Sequence, residues 1–149
     1  HELNIGANFF ANHLYYWGDV HAEYTVGPYE VKRMEPMRSA VNHGVRFGVH
    51  SDDPITEVNP LFSAWCACNR KSGISGKVYG EDLCLTAYEA MRCITLNAAW
   101  LLHLEDRLGS IETGKWADFT VLAKEVTEAN KATMKDIEII GTVSGGVIQ

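Results

Sequence analysis

Apolar and polar positions change rhythm twice along this chain. Residues 4 to 11, NIGANFFA, make a short apolar run between polar residues, the pattern of a buried strand. From Tyr15 to Pro28 aromatics, Gly and Pro follow one another without helical periodicity, which predicts a structured loop. A helix is predicted over 35–43, with Pro36 suited to its first turn and Gly44 as its stop. A strand over 45–50 follows. Asn59 and Pro60 then open a helix to about Asn69, a capping residue followed by a proline preset for the first turn. A Gly/Ser-rich loop covers 71–82.

Thr86 and Glu89 form a capping-box pair, and Ala87, Ala90, Met91 and Ile94 recur at helical spacing behind it. LNAAWLLHL continues as a further helical segment up to Leu104. Beyond it the rhythm shortens. Gly109 and Gly114 flank short apolar stretches, Phe119 to Leu122 reads as a strand, and DIEIIGTVSGGVIQ reads as a β-hairpin around Ser144-Gly145-Gly146. The pattern predicts an α/β unit with parallel strands over 1–104 and a small β region over 105–149.

Composition narrows the function classes. With 46% apolar and 21% charged residues in 149, the chain can bury one sizeable core. Thirteen basic and 19 acidic residues are interspersed, giving a net charge of −6, which argues against nucleic acid and against an anionic membrane surface as partners. No apolar run approaches the ~18 residues of a membrane span, and no basic-then-apolar leader is present, so a cytoplasmic location is expected. Cys66, Cys68, Cys84 and Cys93 form no Cys-x-x-Cys pair and read as reduced thiols. The opening HELNIGANFF resembles the tail of a helix feeding a strand, without an initiator Met. An upstream segment, removed or continuous with this one, is therefore expected.

The candidate chemistry lies at strand ends. FGVHSDDP leaves an apolar strand and meets a histidine and two acids. Residues two apart share a strand face, so His50 and Asp52 converge if the strand reaches Asp52, and Asp53 turns away with Pro54. In parallel α/β sheets that C-terminal end is where sites are built. The competing reading is that both acids only punctuate a turn. His13 repeats the layout beyond the first strand. Trp17 and Asp19 either shape a pocket or anchor the loop, and Arg70 either binds a substrate carboxylate or caps a helix as a solvated cation. His21, His43 and His103 read as ordinary loop or helix residues. There is no His-x-His, H-E-x-x-H, G-x-S-x-G, Walker loop or G-x-G-x-x-G.

FFANHLYYWGDVH, RFGVHSDDP, NPLFSAWCACNR, LTAYEAMRCITLNAAWLL and GSIETGKWADFTVL together resemble the C-terminal portion of metal-dependent amidohydrolases. The nearest group is amidohydrolase family 3, with N-substituted formamide deformylase and exoenzyme regulatory proteins. The resemblance implies a TIM-like (β/α)₈ barrel with a small β-sandwich, of which this chain supplies the last strands and helices and part of the sandwich. It implies hydrolysis of a carbon–nitrogen bond in a small amide-type substrate by water activated on Zn²⁺ or another divalent metal. Asp52 is then the aspartate of the last barrel strand that binds metal and carries the proton. His13 matches a histidine near the end of the sixth strand, which binds metal or polarises the substrate, and Trp17, Asp19, His50 and Arg70 are candidate pocket residues. The family's His-x-His, a further histidine and a bridging lysine belong upstream of these residues. A barrel needs ~250 residues, so the separate chain is expected to be inactive. The alternative is an inactive, self-associating or partner-binding fragment whose cut face must be covered.

Overall fold

The computed structural model describes residues 2–149. Strand β1 (Ala7–Phe10) leads through Asn12 into helix α1 (His13–Val20), which closes in a π-helical turn over His21–Thr25. Helix α2 (Met37–Asn42) precedes β2 (Phe47–His50), which lies parallel to β1 with Ala7 opposite Phe47 and Phe10 opposite His50. Helices α3 (Pro60–Asn69), α4 (Ala87–Cys93) and α5 (Leu96–Leu101) follow. Strands β3 (Phe119–Leu122), β4 (Ile139–Ser144) and β5 (Val147–Ile148) form a separate antiparallel sheet. The result is mixed α/β. Among the described residues no helix is long and apolar enough to cross a membrane.

The predicted punctuation is used as the sequence implies. Asn59 accepts the Phe62 amide at 3.0 Å with Pro60 behind it, and the Thr86/Glu89 capping box is complete. The β4–β5 turn places Gly145 and Gly146 at φ 56° and 82°, which glycine adopts without a Cβ penalty.

One expectation is corrected. The predicted loop from Tyr15 begins as helix α1. Gly18 argued for a loop by propensity, yet it sits at a close approach: a Cβ there would lie 2.9 Å from the Tyr79 ring. Packing decides against propensity here.

The core gathers α3, the β1–β2 pair and α4 around Ala64, Trp65, Cys68, Leu85 and Ala90. The 3₁₀ turn over Lys131–Asp136 joins it: Met134 is fully buried, and the Trp65 indole donates to the Ala132 carbonyl at 2.7 Å. All four cysteines are free, and burial pushes the Cys68 and Cys93 thiols up to about 12, so neither is a thiolate near neutral pH.

Candidate active site

The C-terminal ends of β1 and β2 lie side by side, and most of the candidate groups hang from them. Strand β2 stops at His50, so alternation does not carry Asp52 onto the His50 face. Asp52 instead sits in the left-handed region at φ 60°, where aspartate is among the few tolerated side chains, and the Ile55 amide donates to its carbonyl at 2.7 Å. The turn itself delivers both residues to one place. His50, Ser51, Asp52 and Asp53 line a cavity of about 500 Å³ whose other walls include Asn8, Asn59, Ser63 and Ile94. Asp52 is exposed there and His50 half-buried.

A hydrogen-bonded brace fixes the two strand ends together. Asn12, fully buried after β1, donates from Nδ2 to Thr56 Oγ1 at 2.9 Å, and the Thr56 hydroxyl donates in turn to the Ser51 carbonyl. Asn12 Oδ1 is buried without a hydrogen-bond partner among the described residues. The brace holds the loop that carries Asp52.

His13 is the first residue of α1 and lies outside the Asp52 cavity. The Phe10 ring stands between the two histidines, its centroid 5.2 Å from His13 and 5.4 Å from His50, nearly parallel to both. Trp17 packs edge-on against His13 at 5.7 Å and tilted against Phe10 at 5.9 Å, so it walls the His13 side. The His13 Nδ1 meets Glu35 Oε1 at 3.3 Å, and its Nε2 lies 3.0 Å from the His21 Nε2. Burial, reinforced by the neighbouring His13, holds the His21 imidazole below its ordinary pKa.

Two candidates for the pocket have other occupations. The Asp19 carboxylate accepts from Ser72 Oγ, Ser75 Oγ and the Tyr79 hydroxyl, the last two at 2.6 Å each, and from the Ser75 amide at 3.1 Å. Those bonds, the Ser72 one foremost, hold it well below the usual carboxylate range, and they anchor the 71–80 loop to α1. Arg70, expected to be a solvated cation or a substrate clamp, is 1% exposed. Its guanidinium donates to the carbonyls of Tyr79 at 2.7 Å, Glu35 at 2.8 Å, Met34 at 2.7 Å and Lys32 at 3.2 Å. That uses four of the fork's five N–H donors within the fold. Arg70 therefore holds Glu35, at φ 48°, in the backbone conformation from which its carboxylate reaches His13.

Over this architecture the family comparison is unambiguous: the model described as the amidohydrolase family matches residues 1–149. The chain belongs to that family. N-substituted formamide deformylase of Arthrobacter pascens is 28% identical over 148 residues, 98% of this chain and 27% of that protein. YtcJ of Bacillus subtilis (strain 168), named as an amidohydrolase, is 33% identical over 125 residues, 83% of this chain and 24% of that protein. The chain thus spans about a quarter of the length of these amidohydrolase relatives. A metal-dependent hydrolase structure from Pyrococcus horikoshii OT3 superposes with a TM-score of 0.61 at 19% identity, covering 76% of this chain and 23% of that one. An amidohydrolase structure from Thermotoga maritima MSB8 gives 0.53 at 24% identity over 95% of this chain and 35% of that one.

The donors among the described residues fall short of a complete metal centre. Among the described residues no three His, Cys, Asp or Glu side chains cluster to hold an ion, whereas zinc sites take three or four protein ligands. Asp52 and His13 are each suited to a divalent ion by donor type, but His13 does not line the Asp52 cavity. Two residues escaped the sequence reading. His21 had a legible signal, since His13, Trp17 and His21 are spaced four apart and fall on one helical face. Glu35, 22 residues from His13, had none.

Proposed function

We propose that this chain is the C-terminal part of a metal-dependent amidohydrolase barrel that cleaves a carbon–nitrogen bond in a small amide-type substrate. Its last barrel strand is β2. The observation that carries the reading is Asp52, an exposed carboxylate at the C-terminal end of a parallel strand, opening into a cavity of about 500 Å³. A divalent metal, Zn²⁺ in the first instance, supplies an activated water and polarises the carbonyl when bound in the complete site. Asp52 would serve as base and then acid, taking a proton from the attacking water and handing it to the leaving nitrogen. His50 and Asn59 border the same cavity, and His13, on the far side of Phe10, would help to hold the metal or polarise the substrate in the complete site. N-substituted formamides, the substrates named for the Arthrobacter relative, are the first compounds to assay.

The test is Asp52→Asn in the hydrolase that carries this chain, assayed with divalent metal supplied. Loss of about a hundredfold or more in kcat with an unchanged circular dichroism spectrum is expected. An Asp52→Asn enzyme at full rate refutes the assignment. The 149 residues alone are expected to turn over none of these substrates, because their donor set is incomplete.

A second reading is favoured by the open sheet. β1 and β2 form a two-stranded parallel pair, while parallel sheets normally extend further and are covered on both faces. Leu3 and Ile5, just before β1, are 80% and 65% exposed. Further strands, from an upstream segment or from another copy, would complete this edge. Sedimentation that finds only monomer at high concentration counts against association between copies.

A further inference from the structure

We propose that Asn12 and Thr56 are positioning residues for Asp52: together they fix the peptide planes of the turn after β2 and so aim the Asp52 carboxylate into its cavity. This role rests on the function given above to Asp52, and it extends to two residues that do not themselves line the cavity.

Asn12 forgoes the bond its position offers. It stands at the N-cap of α1, where an asparagine side chain ordinarily accepts an amide of the first turn, yet it makes no such bond. It is instead fully buried, and its Nδ2 donates to Thr56 Oγ1 at 2.9 Å, 44 residues along the chain. The Thr56 hydroxyl is committed as donor to the Ser51 carbonyl, so Asn12 is the donor to Thr56 and its own Oδ1 is left over. That oxygen is buried and has no partner among the described residues. A missing cap and an orphaned acceptor both cost stability. Two apolar side chains of the same shape would join the strand ends without the orphan. What they would lack is a hold on the Ser51 carbonyl.

That hold matters because of where Asp52 sits. A peptide unit is planar, so the Ser51 carbonyl and the Asp52 amide belong to one rigid plate. Thr56 holds this plate by the Ser51 oxygen, and the Ile55 amide holds the next one by donating to the Asp52 carbonyl at 2.7 Å. With both plates held, the two backbone dihedrals of Asp52 are set, and with them the direction of its Cα–Cβ bond. The conformation is left-handed, at φ 60°, which even a tolerant aspartate occupies less readily than glycine. Released from Thr56, the Ser51–Asp52 plate is free to turn, and Asp52 relaxes toward the ordinary regions with its carboxylate out of line. Asn12 acts one bond further out. Its backbone is fixed in the first turn of α1, where its carbonyl accepts the Tyr15 amide at 3.1 Å and the Tyr16 amide at 3.3 Å. Thr56, only 5% exposed, is thereby tied to the neighbouring strand end and not merely to its own loop.

The test compares stability, local protection and turnover in the hydrolase that carries this chain, with divalent metal supplied and N-substituted formamides as substrates. Asn12→Leu/Thr56→Val replaces both side chains by apolar groups of nearly the same shape. Its urea midpoint is expected to match or exceed that of the unaltered enzyme. Amide hydrogen exchange across residues 51–56 should nevertheless accelerate about tenfold or more, and kcat should fall about tenfold or more with KM changed by less than about twofold. Thr56→Ser keeps the hydroxyl and should keep both rate and protection. Unchanged exchange in the double variant, or full turnover by it, overturns the positioning role. So does a midpoint that falls in step with the rate, the behaviour of a pair that only holds the fold together, or a Thr56→Ser enzyme as slow as the double variant. The exchange readout needs no substrate, so it decides the matter whichever amide the enzyme takes. Full turnover by Asp52→Asn refutes the function given to Asp52 itself, and accelerated exchange in the double variant would then still show that Asn12 and Thr56 hold the turn.

Discussion

Replacing Arg70 with Met tests whether this residue is a structural clamp or a substrate ligand. Methionine is similar in length and keeps the aliphatic packing, so the guanidinium alone is removed. Four carbonyls, of Lys32, Met34, Glu35 and Tyr79, then lose their donor in a region where Arg70 is almost wholly excluded from water. A buried acceptor left without a partner costs about 1 to 3 kcal/mol, and the lower figure suits a set in which three of the four bonds are part-buried, giving roughly 4 kcal/mol for the set. Against this stands the relief of no longer burying a charge, on the order of 1 to 2 kcal/mol for such replacements. The expected net loss is about 2 to 3 kcal/mol in urea unfolding, seen as a lower midpoint at unchanged slope. Arg70→Lys should recover only part of it, because an ammonium is a point donor and cannot span four carbonyls as the planar fork does. An Arg70→Met chain within 0.5 kcal/mol of the unaltered protein, on the ±0.5 kcal/mol scale typical of neutral surface changes, would refute the clamp and return Arg70 to the list of ligand contacts.

Three further outcomes follow from the same geometry. Glu89 accepts from Arg38 through both oxygens, at 2.7 and 2.6 Å, and these bonds, then those from Thr86, hold its carboxyl at about 2 against an ordinary 4.5. A depressed carboxylate stabilises the fold fully above its unfolded value and loses that contribution as pH falls from about 4.5 to about 2; allowing for partial solvent screening, this is about 1 to 2 kcal/mol. Glu89→Gln should therefore flatten the acid limb of stability over that window, measured by thermal unfolding against pH. Gly80→Ala places a Cβ 2.3 Å from the Lys32 carbonyl at φ 70°, and a loss of about 2 kcal/mol or more is expected in chemical denaturation. Thr86→Ala removes the hydroxyl that accepts the Glu89 amide at 3.2 Å, and should cost about 1 kcal/mol by the same assay.

The sequence by itself determined where most elements begin and end. Asn59-Pro60, Thr86 with Glu89, and the Gly145-Gly146 turn act through bonds and dihedrals within a few residues, so their effect is written locally and needs no distant partner. The strand end at His50 and the family motifs were legible for the same reason, and the motifs carried the assignment to the amidohydrolase family. Only the tertiary structure decided that Gly18 belongs to a helix, since its reason is the Tyr79 ring 61 residues away in the chain. It likewise decided that Arg70 is enclosed by the Lys32, Met34, Glu35 and Tyr79 carbonyls, and that Asp19 is spent on Ser72, Ser75 and Tyr79. Side-chain type announces what a group can bond to, but which partner it meets depends on how segments far apart in sequence are brought together. The meeting of His13 with Glu35 and His21 combines both kinds of information: helical spacing gives one half, and a turn held open by a buried guanidinium gives the other.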